Sequence, residues 1–390
     1  MTNPRVLISG ASIAGPALAY WLHRYGFDVT VVEKAPAVRA GGQAVDFKGP
    51  VHLGVLRKMG ILDAVRQATV PSEDGILVNA RGRTIGTVPG AFAGGEINVP
   101  RGDLATILSG LTAPTCEYVF GDSITALTDT GDGVDVSFTH GAPRTFDLVV
   151  GADGIHSNVR ALAFGPEADY VRHLGYYYAL ADLGVDGGEV MYNEPGVMAA
   201  LGGPKASAFF VFAAPLSPAA RGDVDTQKQF LVDALRGARW RIPELMAAVP
   251  GAAEFYLDSI SRVTVDRYST GRVALVGDSA YGNALGGFGT GLAVVGAYVL
   301  AGELARADGD HRAAFARYES TYRGYASVSQ KINAGRLLAP GSKAGIVGRN
   351  LGFSALSLFG PLMRIVDRPA TNLTLEDYDA HTSGKPWPAL

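Results

Sequence analysis

Apolar residues run unbroken through Val6-Leu7-Ile8, stop at Gly10-Ala11-Ser12-Ile13-Ala14-Gly15, and resume at helical spacing as Ala17, Leu18, Trp21 and Leu22. The pattern predicts a buried strand, a tight turn and a helix. Gly26-Phe27-Asp28 breaks that helix, and Val29 to Val32 forms a second buried strand ending at Glu33, so the chain opens as a βαβ unit with a right-handed crossover. Further on, Arg101-Gly102-Asp103 opens a helix carried by Leu104, Ile107 and Leu108, and Val134 to Phe138 alternates as a strand. Leu148 to Val150 is a buried strand running into Gly151-Ala152-Asp153-Gly154. Val273 to Val276 repeats that style, ends at Gly277-Asp278, and leads through a glycine-rich turn into a helix from about Thr290 to Leu304. The stretch between, roughly 170–265, reads differently. Tyr176-Tyr177-Tyr178, Val190-Met191-Tyr192 and Phe209 to Phe212 are separated by Gly, Pro and Asn turns and predict an antiparallel sheet. Beyond His311 the pattern is mostly helical, and Pro386 to Leu390 reads as a frayed tail.

Composition narrows the function classes. Only 18% of the residues are charged, against about 25% in an average soluble domain, so most of the 390 residues need an interior. With 34 basic and 37 acidic residues, a net charge of −3 and no basic run, a surface that tracks nucleic-acid phosphates is excluded. Cys116 is the only cysteine, which rules out an internal disulfide, an iron–sulfur cluster and a thiolate zinc site and fits a cytoplasmic protein. The seven histidines show no metal-ligand spacing, so no metal is expected. Met1 to Arg5 leads straight into an apolar strand and helix without a basic region and cleavable apolar stretch, so a signal peptide is not expected. The uncharged stretch Ser279 to Gly302 is long enough to span a bilayer, but seven of its residues are glycine and its first half reads as loop, so no membrane span is expected.

The first turn carries the dinucleotide pattern with serine at its second glycine position. Gly10 permits the turn, Gly15 lets helix and strand approach, and the helix start offers free N–H groups to a pyrophosphate. Glu33, a little over twenty residues on, is placed to accept from a ribose 2′-OH and opposes a 2′-phosphate, so the occupant is FAD or NAD and not NADP. Gly10, Ser12, Ile13, Ala14, Gly15, Glu33 and Lys34 are the candidate contacts there. The later turns with Asp153 and Asp278 favour the larger cofactor, because NAD needs only the first. Gly286-Gly287-Phe288-Gly289 opens a helix with unhindered N–H groups, with Gly287 and Gly289 suited to stabilising charge on the N1–C2=O edge of a reduced flavin. Arg101 at a helix start is electrostatically misplaced unless an anion lies beside it. Trp240 to Pro243 reads as a helix lead-in, and His156-Ser157 as the start of the helix after Asp153.

Taken together, Gly10 to Gly15 with Glu33, Arg39 before Gly41-Gly42, Arg101 before Leu104, Gly151 to Gly154 with Arg160, and Gly277-Asp278 resemble the FAD-dependent class A monooxygenases. This is the para-hydroxybenzoate-hydroxylase-like family that includes the tetracycline-inactivating monooxygenases, and the resemblance covers nearly the whole chain. It implies that Glu33 binds the adenosine ribose, that Arg39 and Arg101 contact FAD, that Asp153 serves FAD and reduced-nicotinamide binding, and that Asp278 holds the ribityl or pyrophosphate part. Gln43 and Asp46 would run past the isoalloxazine toward substrate; Asp46 could equally cap the helix that Gly49-Pro50 begins. Tyr176, Tyr178, Tyr192, Phe210 and Phe212 are candidates for an aromatic substrate pocket, although alternation sends about half of such residues to the other face. Two departures stand out. Tyr281 replaces the family's usual histidine with no proline before Gly289, and Gly296-Ala297 stands where an Asp-Ala pair is common.

The expected fold is α/β, with a Rossmann-like FAD-binding domain from 1–72, 98–170 and 266–330, an interleaved mixed or antiparallel sheet domain for substrate from 73–97 and 171–265, and a C-terminal helical region over 331–390. The expected activity is hydroxylation of an apolar, aromatic or polycyclic small molecule with NAD(P)H and O2, through a flavin C4a-hydroperoxide as the resemblance implies. No side chain can be named as an obligatory acid or base, and no obligatory protein partner is inferred. The alternatives are a dehydrogenase or reductase of the same fold without oxygen insertion, and a flavin-binding or NAD-sensing protein without turnover.

Overall fold

The computed structural model describes residues 3–39, 43–71, 74–88, 90, 96–185, 188–203, 206–358 and 373–381. Gly41, Gly42 and the tail from Pro386 lie outside them. The chain opens as β1 (Arg5–Ser9), α1 (Ala14–Arg24) and β2 (Asp28–Glu33), followed by β3 (Ala44–Phe47), α2 (Gly49–Lys58), α3 (Leu62–Gln67), β4 (Gly75–Val78), β5 (Thr84–Val88) and β6 (Ile97–Pro100). Next come α4 (Arg101–Thr112), β7 (Glu117–Phe120), β8 (Ile124–Asp129), β9 (Val134–Phe138), β10 (Arg144–Phe146), β11 (Leu148–Gly151) and α5 (Asn158–Ala163). The middle holds β12 (Val171–Ala181), β13 (Val190–Glu194), β14 (Val197–Gly203), β15 (Ala206–Ala213), α6 (Val224–Ala234), α7 (Ile242–Ala248) and β16 (Phe255–Val263). The chain then runs through β17 (Ser269–Thr270), β18 (Val273–Leu275), α8 (Asp278–Tyr281), α9 (Gly289–Arg306), α10 (His311–Ala326), α11 (Ala334–Leu338) and α12 (Lys343–Leu358).

One six-stranded sheet has the order β17-β18-β11-β1-β2-β7, parallel except at β17. Val6 pairs with both Leu148 and Val29, so β1 is central, and Val6, Leu7 and Ile8 are fully buried because both faces are covered. The three strand ends that carry the glycine–acid turns are those of β1, β11 and β18, side by side. Helices α1 and α9 pack together. Among the described residues no helix is long and apolar enough to cross a membrane, and the Ser279–Gly302 stretch divides into α8, a loop and α9.

The second sheet has seven strands in the order β16-β12-β15-β14-β13-β4-β5, antiparallel except where β13 meets β4. Its two faces bury different sets. Tyr177, Ala179, Tyr192, Phe210 and Phe212 pack with Leu231, Leu245 and Met246 of α6 and α7. Tyr178, Leu180, Met198, Phe209, Val211 and Ile260 face Ala284 and Leu285, in the loop between α8 and α9. Tyr192, Phe210 and Phe212, expected in the substrate pocket, therefore belong to the opposite core, and Tyr192 stacks on Trp240 with ring centroids 5.3 Å apart. Side-chain alternation makes Phe209 and Phe210 equally eligible for either face, and only the docking side of α6 and α7 separates them.

Candidate active site

The site starts from the three turns, which touch one another. Gly10 has φ 109°, and a Cβ there would stand 2.6 Å from the Ala152 carbonyl oxygen. Gly277 has φ 67° and faces Ala14, whose Cβ would be 3.0 Å away. Only glycine allows this approach at positive φ. The start of α1 carries no side-chain cap and no acidic residue in its first turn. Its terminal N–H groups thus form a cradle suited to a phosphate. Glu33 already faces this turn, accepting from the N–H groups of Ala11 and Ala35 at 2.9 Å each. Just after it, Lys34 to Arg39 line a cavity of about 550 Å³. Ser12, at the second glycine position, accepts from Arg101 Nε at 3.2 Å and Nη2 at 3.0 Å. The serine is thus a seat for a guanidinium at the phosphate cradle.

Asp153 sits beneath this cradle as a hub. Its carboxylate accepts from Ser157 Oγ at 2.5 Å, the N–H groups of Asn158 and Val159 at 2.9 and 3.0 Å, Ser279 Oγ at 3.2 Å and Ser9 Oγ at 3.3 Å. One side chain thereby takes the first two N–H groups of α5, beside its Ser157 cap, and ties β1 and β11 to α8. Arg160, fully buried, donates to the carbonyls of Ser279 at 2.9 Å and Ile155 at 2.6 Å, binding the second turn to the third.

Asp278 opens α8 and lies near Gly289 at the start of α9. Asp278 is exposed at its surface, yet protein packs closely around it. Burial raises its carboxyl above the ordinary value, with Arg101 opposing and Asp258 adding to the shift. Leu285 and Phe288 both hold positive φ, 56° and 64°, so the loop before α9 stores backbone strain of the kind that marks functional turns. Helix α9 also starts without a side-chain cap or a first-turn acid. The Gln43 backbone carbonyl accepts from Arg101 N–H at 3.2 Å, and the Gln43 Oε1 is buried without a partner among the described residues. Asp46 does not cap α2, because Lys48 is the preceding residue and Asp46 pairs with its ammonium at 3.3 Å.

Across from α9, Tyr178 and Tyr256 project from one face of the second sheet with ring centroids 5.7 Å apart. Arg101 lies close enough to lower the pKa of both hydroxyls and of Asp278, although burial, the larger cause, holds all three above their ordinary values. Tyr176 shares this face but is covered by Gly335 of α11. It lines a separate cavity of about 440 Å³ with Arg336 and Arg349.

A polar chain runs outward from Tyr256, which donates to Asp258 Oδ2 at 3.1 Å. Asp258 Oδ1 lies 3.2 Å from His156 Nε2, His156 Nδ1 lies 3.1 Å from Glu167, and Arg221 pairs with Glu167. Hydrogen bonding to Asp258 raises the His156 pKa, partly offset by burial and aided by Glu167. Burial would raise Glu167, but Arg221 and His156 outweigh it and hold it low. The protonated histidine therefore stabilises the fold fully below its unfolded pKa of about 6.5 and loses that share as pH rises through its raised value. Glu167 acts oppositely, its share fading as pH falls below the ordinary glutamate range. Urea unfolding between about pH 6 and about pH 9 should show a steeper decline for the wild type than for His156→Gln. Parallel curves would remove His156 from this role.

A family model described as an FAD binding domain matches residues 3–321. The chain belongs to the class A FAD-dependent monooxygenases. A flavin-dependent monooxygenase from Legionella longbeachae is 34% identical over 343 residues, covering 85% of this chain and 88% of that protein. Another flavin-dependent monooxygenase, from an unknown prokaryotic organism, is 37% identical over 340 residues, covering 84% of this chain and 87% of its own. Among solved structures, tetracycline destructase Tet(55) superposes with a TM-score of 0.81 at 32% identity over 97% of this chain and 99% of its own. The protein is thus an FAD-dependent monooxygenase.

In this monooxygenase the first turn meets Glu33 through the Ala11 N–H and Arg101 through Ser12, and Arg101 lies close enough to Asp278 to oppose the rise of its carboxyl. Asp153 and Arg160 stand behind these groups as supports. The sequence does not single out Met198, Tyr256 or Asp258; His156-Ser157 does start the helix after Asp153, with Ser157 as its cap accepting from Arg160 N–H, but the ion pairs of His156 are not legible there. The shared parity of Tyr256, Asp258 and Ile260 was visible along β16. The partners of His156, 11 and 102 residues away, left no local signal.

Proposed function

We propose that the monooxygenase takes hydride from NADH or NADPH and uses O2 to hydroxylate an apolar, ring-bearing small molecule held between the start of α9 and the Tyr178 face of the second sheet. The observation that carries this reading is the pairing of two surfaces. One is an uncapped, glycine-opened helix N-terminus; the other is an apolar sheet face bearing Met198, Phe209 and Tyr178. FAD supplies hydride acceptance and oxygen activation when bound. The residues present fit it: the α1 cradle suits the pyrophosphate, Glu33 the adenosine ribose, the Lys34–Arg39 cavity the adenosine end, and Asp278 the ribityl chain. Gln43 brings an unpartnered acceptor suited to a ring N–H. Around the ring the apolar face excludes water, and Arg101 adds positive charge beside Asp278 and the tyrosine hydroxyls.

Arg101→Ala is expected to weaken FAD binding roughly tenfold, the scale of one hydrogen bond to a charged group. High salt should reproduce part of that loss in the wild type. Equal affinity across salt concentrations would show that Arg101 does not serve the phosphates.

The reading is tested with oxygen-18 gas and a panel of phenolic and polycyclic compounds, tetracyclines included because a similar solved structure is a tetracycline destructase. Substrate should accelerate nicotinamide oxidation and leave with one labelled oxygen atom. Nicotinamide oxidation coupled to substrate reduction, with no label gained, would establish the reductase alternative instead.

A further inference from the structure

Three glycines inside α9 each meet a ring where a side chain would have stood. A Cβ on Gly291 would lie 2.2 Å from the His52 ring, one on Gly296 2.1 Å from the Tyr281 hydroxyl, and one on Gly302 2.2 Å from the Tyr378 ring. Glycine in a helix interior is unfavourable relative to alanine, so each notch needs a packing reason. The middle notch differs from the others in what it joins. Tyr281 closes α8, the short helix that Asp278 opens, so one turn of helix carries both the acid near the start of α9 and the ring docked on α9.

The hydroxyl of Tyr281 donates to the Leu292 carbonyl in the first turn of α9 at 3.4 Å, and Tyr322 of α10 donates to the same oxygen. Burial pushes both phenols well above their ordinary pKa, so both remain neutral donors. On its other side Tyr281 is held by Gln330, which donates to its carbonyl at 2.8 Å, and by the Tyr322 and Tyr268 rings with centroids 5.4 and 5.6 Å away. The two departures from the family pattern therefore occupy one volume. Tyrosine at 281 and any side chain at 296 exclude each other.

We propose that Tyr281 is a positioning residue of the flavin site, acting through the Gly296 notch to fix the first turns of α9 against α8. It rests on the placement of the flavin at the start of α9. An added methyl at 296 must push the Tyr281 hydroxyl away and displace the α9 start relative to Asp278. Removing only that hydroxyl relieves the one severe contact, leaving Tyr322 Cε1 at 3.0 Å and Tyr281 Cζ at 3.3 Å, which call for shifts of only a few tenths of an ångström.

The experiment measures FAD dissociation constants on flavin-stripped protein, together with the visible absorption of the bound flavin. Gly296→Ala should weaken FAD roughly tenfold or more, a cost of the size that small misplacement produces. Adding Tyr281→Phe to it should restore affinity to within about threefold of Tyr281→Phe alone, the non-additivity expected of two groups sharing one space. Gly302→Ala makes the same kind of lesion at the far end of α9, and should lower the melting temperature while leaving FAD affinity and spectrum unchanged. Wild-type affinity in Gly296→Ala, no recovery in the double variant, or equal FAD loss in Gly302→Ala would each overturn the proposal. Should Gly296→Ala yield no folded protein, Tyr281→Phe alone is expected to shift the bound-flavin spectrum, and an unchanged spectrum and affinity would overturn it. If Asp278→Ala loses FAD while Gly296→Ala does not, this inference fails and the flavin placement stands. If neither loses it, the placement itself fails.

Discussion

Gly15→Ala is expected to abolish retention of FAD through purification. A Cβ at this position would lie 1.9 Å from the Gly10 carbonyl oxygen and 3.3 Å from Ile8 Cγ2. The first of these is backbone at the centre of the turn, which cannot swing aside as a long side chain could. Helix α1 must instead move away from β1 by roughly 1 Å or more, carrying its N–H groups off the pyrophosphate, and a shift of that size costs on the order of a hundredfold. At about 1.4 kcal/mol per tenfold, the loss is about 3 kcal/mol of binding. Flavin content after purification and a titration of stripped protein would measure it. Wild-type affinity in this variant would mean that the pyrophosphate does not lie at the α1 start.

Asp153→Asn is expected to produce the largest loss of stability among single-atom exchanges in the site. Every group around this carboxylate is a donor, namely the hydroxyls of Ser9, Ser157 and Ser279 and two backbone N–H groups at the start of α5. An amide keeps the shape but turns one acceptor into a donor facing donors, and removes the charge that the helix start favours. Hydrogen bonds to charged groups contribute about 1.5–3 kcal/mol each, so a loss of about 2–4 kcal/mol in unfolding free energy is expected after partial rearrangement. Urea unfolding of the flavin-saturated protein would show it as a lower midpoint. Wild-type stability in Asp153→Asn would contradict the hub.

What the sequence made legible, and what it did not, follows from how local each signal is. The βαβ opening and the glycine–acid turns are written in contiguous residues, because Gly10, Gly15 and Glu33 act within one supersecondary unit. The convergence of the three turns follows once the strands are parallel and adjacent, as Val6 pairing with both Leu148 and Val29 shows. The proposed substrate face depends on something the chain does not state locally. Along β12, Tyr177 and Tyr178 are equally apolar, and the choice between them is made by α6 and α7, which arrive more than forty residues later. Alternation therefore offered two sets and gave no means to choose. The departure at Ser12 was legible as a small residue, but its use as a seat for Arg101 spans 89 positions and became visible only in three dimensions.

The central claim is that FAD lies across the joined ends of β1, β11 and β18 with its ring between α9 and the second sheet. A crystal structure of the protein soaked with FAD tests this most directly. It should show the Glu33 carboxylate on the adenosine ribose hydroxyls, the pyrophosphate at the α1 start beside Arg101, and the pyrimidine edge of the flavin at Gly289, with Tyr178, Met198 and Phe209 across the ring. A flavin ring on the α6 and α7 side of the second sheet, or a ribose away from Glu33, would contradict it.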